Sequence, residues 1–210
     1  MNAQLSPRAE RRLQMAVDLG ERLLVLVLFA TLVIRLSYSL SFRPYNLLIL
    51  LSEGLVAFLI VIRRSTTEFT MRPQDWVIAL AGTALPMLSR AGGTPLLPAA
   101  ADTVLMSCGL LFAIWAKLSL RYSFGIAAAN RGAVSRGAYR LIRHPMYAGY
   151  IIVDIGFVLN NPLTWNIEIF AVAFALFVAR IFAEERILSA DPDYNRYRSV
   201  VRFRLLPGIF

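Results

Sequence analysis

The run Arg143-His144-Pro145-Met146-Tyr147-Ala148-Gly149 places the chain's one histidine directly ahead of a proline, at the head of a long apolar stretch. Proline is pre-organised for the first position of a helix, so a helix starting at Pro145 would turn its free backbone N–H groups toward Arg143 and His144. Such an end attracts an anionic group. A second group lies at the end of another apolar run: Arg180 and Glu184, four apart and therefore on one helix face, with Glu185 beside them. By itself that spacing describes a solvated ion pair worth about 0.3 kcal/mol, but its place at the end of an apolar span argues against a plain solvated surface. Tyr139, Tyr147 and Tyr150 complete the set, and an aromatic belt at a membrane boundary is one account of them.

Other chemistries find no footing. The sequence has no Gly-rich phosphate loop and no Ser/His/Asp arrangement of usable spacing, and one His with one Cys cannot build a zinc site of the usual kind. Cys108, alone, forms no intrachain disulfide; it sits in an apolar run where packing is its expected role.

The elements that must position these residues are apolar helices. Of 210 residues 58% are hydrophobic and only 17% charged, with a mean hydropathy of +0.60, which leaves too little polar surface for an ordinary soluble domain. The net charge of +9 does not indicate nucleic acid, because the arginines cluster in short segments between apolar runs, as topology signals do. Apolar spans fall near residues 22–41, 45–62, 74–89, 98–120, 146–160 and 163–182, most of them close to the ~20 residues that cross a bilayer. Segments 1–22, 63–73, 121–143 and 183–210 hold nearly all the arginine, which puts both termini in the cytoplasm. Residues 1–21 lack the apolar core and small-residue cleavage site of a signal peptide. The expected fold is therefore all-α: a polytopic transmembrane helical bundle of about six spans, including a C-terminal helical hairpin, in one integral membrane domain over residues 1–210. The connection 121–145 and the tail would then lie on one side and fold over the helix ends. Arg35 and Glu53, at similar distances from the turn at Arg43-Pro44, are expected to pair at comparable depth. Asp154 and Glu168 are expected to make packing or hairpin contacts.

The ordered set Gly137-Ala138-Tyr139-Arg140-Leu141-Ile142-Arg143-His144-Pro145-Met146-Tyr147-Ala148-Gly149, then Arg180-Ile181-Phe182-Ala183-Glu184-Glu185, then Tyr194-Asn195-Arg196-Tyr197, resembles the isoprenylcysteine carboxyl methyltransferase and phospholipid methyltransferase superfamily of integral membrane enzymes. The resemblance covers roughly residues 100–207. It divides the chain into a two-span extension over 1–74 and a methyltransferase core over 75–210, and it implies S-adenosylmethionine as cofactor. By this resemblance Arg131, Gly132, Ala133 and Val134 give backbone contacts to the cofactor, and Tyr139, His144, Pro145, Met146 and Tyr147 line its pocket. Glu184 binds it, and Arg180 faces the methyl acceptor. The chain departs from the family at Asp191-Pro192-Asp193, where a longer stretch is common.

The same residues suit that cofactor chemically. Arg143, His144 and the helix start favour its carboxylate, Glu184 or Glu185 its ammonium, and a tyrosine ring face its sulfonium. The implied reaction is methyl transfer to a lipophilic or amphiphilic acceptor, with Arg180 and Glu184 as the catalytic pair: the carboxylate of a prenylated compound, a phospholipid amine or another small lipid. The partners are the lipid bilayer and that small-molecule acceptor, with no nucleic acid, and the setting is a bacterial inner membrane with the site facing the cytoplasm. An NADPH-dependent membrane sterol or enone reductase shares the Arg-His-Pro pattern, but in that group Arg-Asp-Glu and Lys-Tyr-Gly runs stand where this chain has Ala183-Glu184-Glu185 and Asp193-Tyr194-Asn195. A non-enzymatic membrane scaffold would leave the ordered motif without a purpose.

Overall fold

A computed structural model describes residues 7–38, 44–64, 66, 70–125 and 128–210; up to residue 47 its side chains are described only for 15–16, 18–31 and 33–34. The described residues form helices and no β-strand: α1 (Pro7–Tyr38), α2 (Pro44–Ile62), α3 (Pro73–Ala84), α4 (Ala99–Leu120), α5 (Pro145–Asn160), α6 (Thr164–Leu188) and α7 (Pro192–Val200). Short 3-10 turns follow α3 and α4 and precede α5. Proline opens five of the seven helices, at Pro7, Pro44, Pro73, Pro145 and Pro192, where its missing N–H costs nothing.

The segments Ala99–Ser123 and Thr164–Leu188, 25 residues each, are long and apolar enough to cross a membrane, and Leu48–Ile62 and Pro145–Asn160 are shorter apolar helices. Val104, Leu111, Leu118, Val172 and Phe182 are exposed on the two longer ones, a surface suited to lipid. Two helices differ usefully from the apolar runs read in the sequence. The polar segment ahead of residue 22 is helical from Pro7, steadied by the Asp18–Arg22 ion pair one turn apart at 2.8 Å. At the other end, α6 continues to Leu188, so Glu184 and Glu185 ride on a rigid helix and not on a loop.

Helices α4 and α5 pack at backbone contact. A Cβ added at Gly149 would lie 2.7 Å from the Ala113 nitrogen, and one at Gly109 would lie 2.9 Å from the Gly149 oxygen. Small residues of this kind drive helix association in lipid, where backbones must approach closely to gain dispersion and weak hydrogen bonds. The α5–α6 corner is closed by Asn166, fully enclosed, whose amide donates to Arg90 O at 2.8 Å and Asn161 O at 2.8 Å while its Oδ1 accepts from Arg90 N at 3.0 Å. Helix α3 is pinned to α6 by the Asp75–Arg186 ion pair, and α1 meets the end of α2 through buried Arg63, which pairs with Asp18 and with Glu21 at 2.7 Å.

Three expectations meet different outcomes here. The Arg35 side chain lies outside the described residues, while Glu53 pairs with Lys117 of α4 at 3.2 Å. Cys108 is exposed on α4 and not packed, because the buried stripe of that helix runs through Met106, Gly109, Leu110 and Ala113. Glu168 is exposed and Asp154 partly buried.

Candidate active site

The site forms where α5 begins, α6 ends and the connecting residues 128–144 fold back over both. Pro145 is the first residue of α5 and His144 its N-cap, making no side-chain cap bond, so the imidazole is released for other partners. His144 Nε2 lies 3.2 Å from Glu185 Oε1 and Nδ1 lies 3.7 Å from Glu184 Oε2, so the ring bridges the two α6 carboxylates. Glu185 is a hub: Arg143 reaches its Oε1 at 3.0 Å and Arg204 of the tail its Oε2 at 2.9 Å. Charge-assisted contacts of this density fix three chain segments relative to one another.

Glu184 has a different role. It accepts a hydrogen bond from the Tyr147 hydroxyl and pairs with Arg180 at 3.4 Å; the Arg180 and Glu184 side chains are 8% and 20% exposed, so the pair is largely withdrawn from solvent. The Arg180 guanidinium also stands over the Tyr147 ring at 5.3 Å, within cation–π range. Tyr147 stacks between His144 at 5.9 Å and Phe177 at 5.6 Å, which leaves its ring one orientation.

The tail completes the frame. Arg143 N donates to Phe203 O and His144 N to Arg204 O, each at 2.9 Å, so a two-bond strap holds the approach to α5. The Tyr197 hydroxyl on α7 donates to Tyr139 O at 2.7 Å. Tyr139 follows a turn in which Gly137 has φ +57°, a conformation that favours glycine. Burial first, and then the Glu184 charge, push the Tyr139 phenol well above its ordinary pKa, so it stays protonated.

These elements enclose a cleft of about 750 Å³, counting its open mouth. Of the residues singled out in the sequence, Arg131, Gly132, Ala133, Val134, Tyr139, Arg143, His144, Met146, Tyr147 and Glu184 line it. Pro145, Arg180 and Glu185 do not: Pro145 is enclosed at the helix start, and the other two stand behind the lining as partners of Glu184, His144 and Arg143. The arrangement changes the division of labour read from the sequence. Arg143 is ion-paired with Glu185 at 3.0 Å, whereas Arg131 lines the cleft with a guanidinium that makes no ion pair among the described residues. Burial, and then the neighbouring Arg63 charge, lower the Arg131 pKa to about 10, so an incoming anion would relieve it. Gly125, Tyr194 and Tyr197 also line the cleft. Gly125 had no sequence signal; a Cβ there would collide with the Arg131 guanidinium. The two tyrosines were visible as a Tyr-x-x-Tyr motif without an assigned place.

With this geometry in view, the comparisons with known proteins become specific. The matching family model, described as Isoprenylcysteine carboxyl methyltransferase (ICMT) family, covers residues 100–190. That segment resembles the ICMT family. It contains all of α4 but its first residue, the connection to α5, and the whole of α5 and α6, and therefore Arg131, His144, Tyr147, Arg180 and Glu184. Over 57 residues the chain is 44% identical to "Protein-S-isoprenylcysteine O-methyltransferase A" of Arabidopsis thaliana, a match covering 26% of this chain and 26% of that protein. The chain thus spans about a quarter of that relative's length, and α1 and α2 lie outside the family match.

Proposed function

We propose that this chain is an integral membrane methyltransferase that uses S-adenosylmethionine to methylate a lipophilic or amphiphilic acceptor. One observation carries the reading: within the segment that resembles the ICMT family, a single cleft is lined by a carboxylate, Glu184, a guanidinium, Arg131, and the tyrosines Tyr139 and Tyr147. That donor set fits a cofactor bearing an ammonium, a carboxylate and a sulfonium. Arg131 would receive the carboxylate, Glu184 the ammonium, and the Tyr139 ring would face the cationic sulfur. When bound, the cofactor supplies an activated methyl group.

The favoured acceptor is a prenylated carboxylate, on the printed name of the plant relative and on Arg180, a cation beside Glu184 and Tyr147. A carboxylate is already a nucleophile at neutral pH, so no residue need remove a proton, and the task of Arg180 is to align the acceptor oxygen. Burial of the lining residues His144, Met146 and Tyr147 keeps water from competing.

In this reading α1 to α6 make six crossings, residues 1–74 form a two-span extension on the 75–210 core, and both termini and the cleft face the cytoplasm of a bacterial inner membrane. The test is calorimetric titration of the detergent-purified protein with S-adenosylhomocysteine, beside His144→Ala. Saturable binding that the variant weakens supports the reading; thermal stabilisation by NADPH and none by S-adenosylhomocysteine replaces it with a reductase.

A further inference from the structure

Lys117 is the chain's only lysine, and its side chain is fully enclosed on α4, one turn from the helix end. Burying an ammonium costs several kcal/mol unless every donor is met, and here all three are. Nζ reaches Ser52 O at 3.0 Å, Ser52 Oγ at 2.7 Å and Glu53 Oε1 at 3.2 Å, all on α2. It also stands 4.9 Å from the centre of the Tyr150 ring on α5.

A longer chain of side-chain contacts passes through this point. Tyr150 tilts against Phe177 at 6.3 Å, Phe177 stacks on Tyr147 at 5.6 Å, and the Tyr147 hydroxyl bonds to Glu184. The Tyr150 phenol interacts electrostatically with both Lys117 and Arg180. At the far end Glu53 is 38% exposed, so the path starts at the outer surface of α2 and ends at the cleft. A pair of apolar side chains would join α2 to α4 at lower cost than an enclosed charge. The charge is therefore expected to act on the polar neighbour it faces, Tyr150.

We propose that Lys117 is a positioning residue for the acceptor: held by Ser52 and Glu53, it fixes Tyr150 beside Arg180 and makes α2 one wall of the acceptor's path from the bilayer. This rests on the methyl-transfer reading above and adds to it a specificity role for a helix outside the family-matched segment. A prenylated carboxylate moving inward along the α2–α4 seam would meet Tyr150 before Arg180, so Tyr150 would set the depth at which its polar end stops.

The test uses the full chain in detergent, with S-adenosylmethionine and N-acetyl-S-farnesylcysteine as the probe acceptor. For Lys117→Met we expect the S-adenosylhomocysteine Kd to hold within about twofold, kcat to hold within about threefold and KM for the probe to rise about tenfold. Tyr150→Phe, which keeps the ring and loses the hydroxyl, moves KM the same way and decides the question if Lys117→Met does not fold. The double variant Glu53→Leu/Lys117→Met separates positioning from simple attachment: it should recover thermal stability and leave KM raised. Wild-type KM in Lys117→Met, or in the double variant, overturns the proposal and leaves the methyl-transfer reading standing. Wild-type protein that binds no S-adenosylhomocysteine sinks that reading itself. Wild type that binds it without methylating the probe removes the prenylated acceptor, and the positioning role of Lys117 with it.

Discussion

The Tyr147 hydroxyl donates a hydrogen bond to the Glu184 carboxylate, joining the first turn of α5 to the last turns of α6 at the floor of the cleft. The bond holds the carboxylate where a cofactor ammonium would meet it, and Arg180 limits its movement from the other side. Glu184→Gln keeps the shape and removes the charge. A hydrogen bond to a charged group contributes about 1.5–3 kcal/mol, so the S-adenosylhomocysteine Kd should rise roughly 10- to 100-fold, with a folded protein and no measurable turnover. Unchanged affinity by calorimetry would remove Glu184 from the site.

Glu185 is expected to behave as a structural anchor. Its carboxylate meets Arg143, His144 and Arg204 and is 10% exposed. Glu185→Ala would leave neighbouring cations uncompensated, which for a buried pair costs about 3–5 kcal/mol. Thermal unfolding in detergent should show a large fall in Tm for this variant and a much smaller one for Glu184→Gln. Equal losses would show that the two adjacent glutamates do not divide the work in this way.

Two glycines test the packing behind the cleft. Gly149→Ala would press a Cβ onto the Ala113 backbone and force α4 from α5, an overpacking cost of about 1–3 kcal/mol. Gly125→Ala collides with the end of the flexible Arg131 side chain, which can move. The first should lower Tm in a thermal melt; the second should leave Tm near wild type and weaken S-adenosylhomocysteine binding. A Gly125→Ala protein with wild-type affinity would mean that Arg131 does not receive the cofactor carboxylate.

The legible part of this molecule was its local chemistry. The helix start at Pro145, the apolar runs that became α2 to α6 and the shared face of Arg180 and Glu184 all follow from residue type and spacing within a few turns. Contacts between distant segments were not legible. Nothing in the spacing of Lys117 announces Glu53, and symmetry about a turn pointed Glu53 toward Arg35. Nothing in Arg143 announces its pairing with Glu185, which leaves Arg131 as a cleft-lining cation with no ion pair among the described residues. Periodicity reports which face of a helix is apolar, whereas charge pairing depends on how helices are rotated and staggered, and a single sequence does not carry that.

The tail offers the last test, because its hold on the site has two separable parts. Its backbone carbonyls at Phe203 and Arg204 accept from Arg143 N and His144 N, and the Arg204 side chain pairs with Glu185. Arg204→Ala removes the ion pair and the guanidinium's contacts with the Phe182 and Phe210 rings at 5.2 and 5.1 Å but keeps both backbone acceptors; with an Arg204 side chain 30% exposed, each lost contact should cost about 0–1 kcal/mol. Ending the chain after Arg202 removes both backbone acceptors as well and frees the residues ahead of Pro145 to move, so the imidazole no longer has a fixed position. If the strap positions His144, the truncated protein should bind S-adenosylhomocysteine about tenfold more weakly, while Arg204→Ala stays within about twofold of wild type. Equal, small effects of the two changes in calorimetry would show that the α5 start holds its geometry without the tail, and that the Glu185 hub alone sets the cleft.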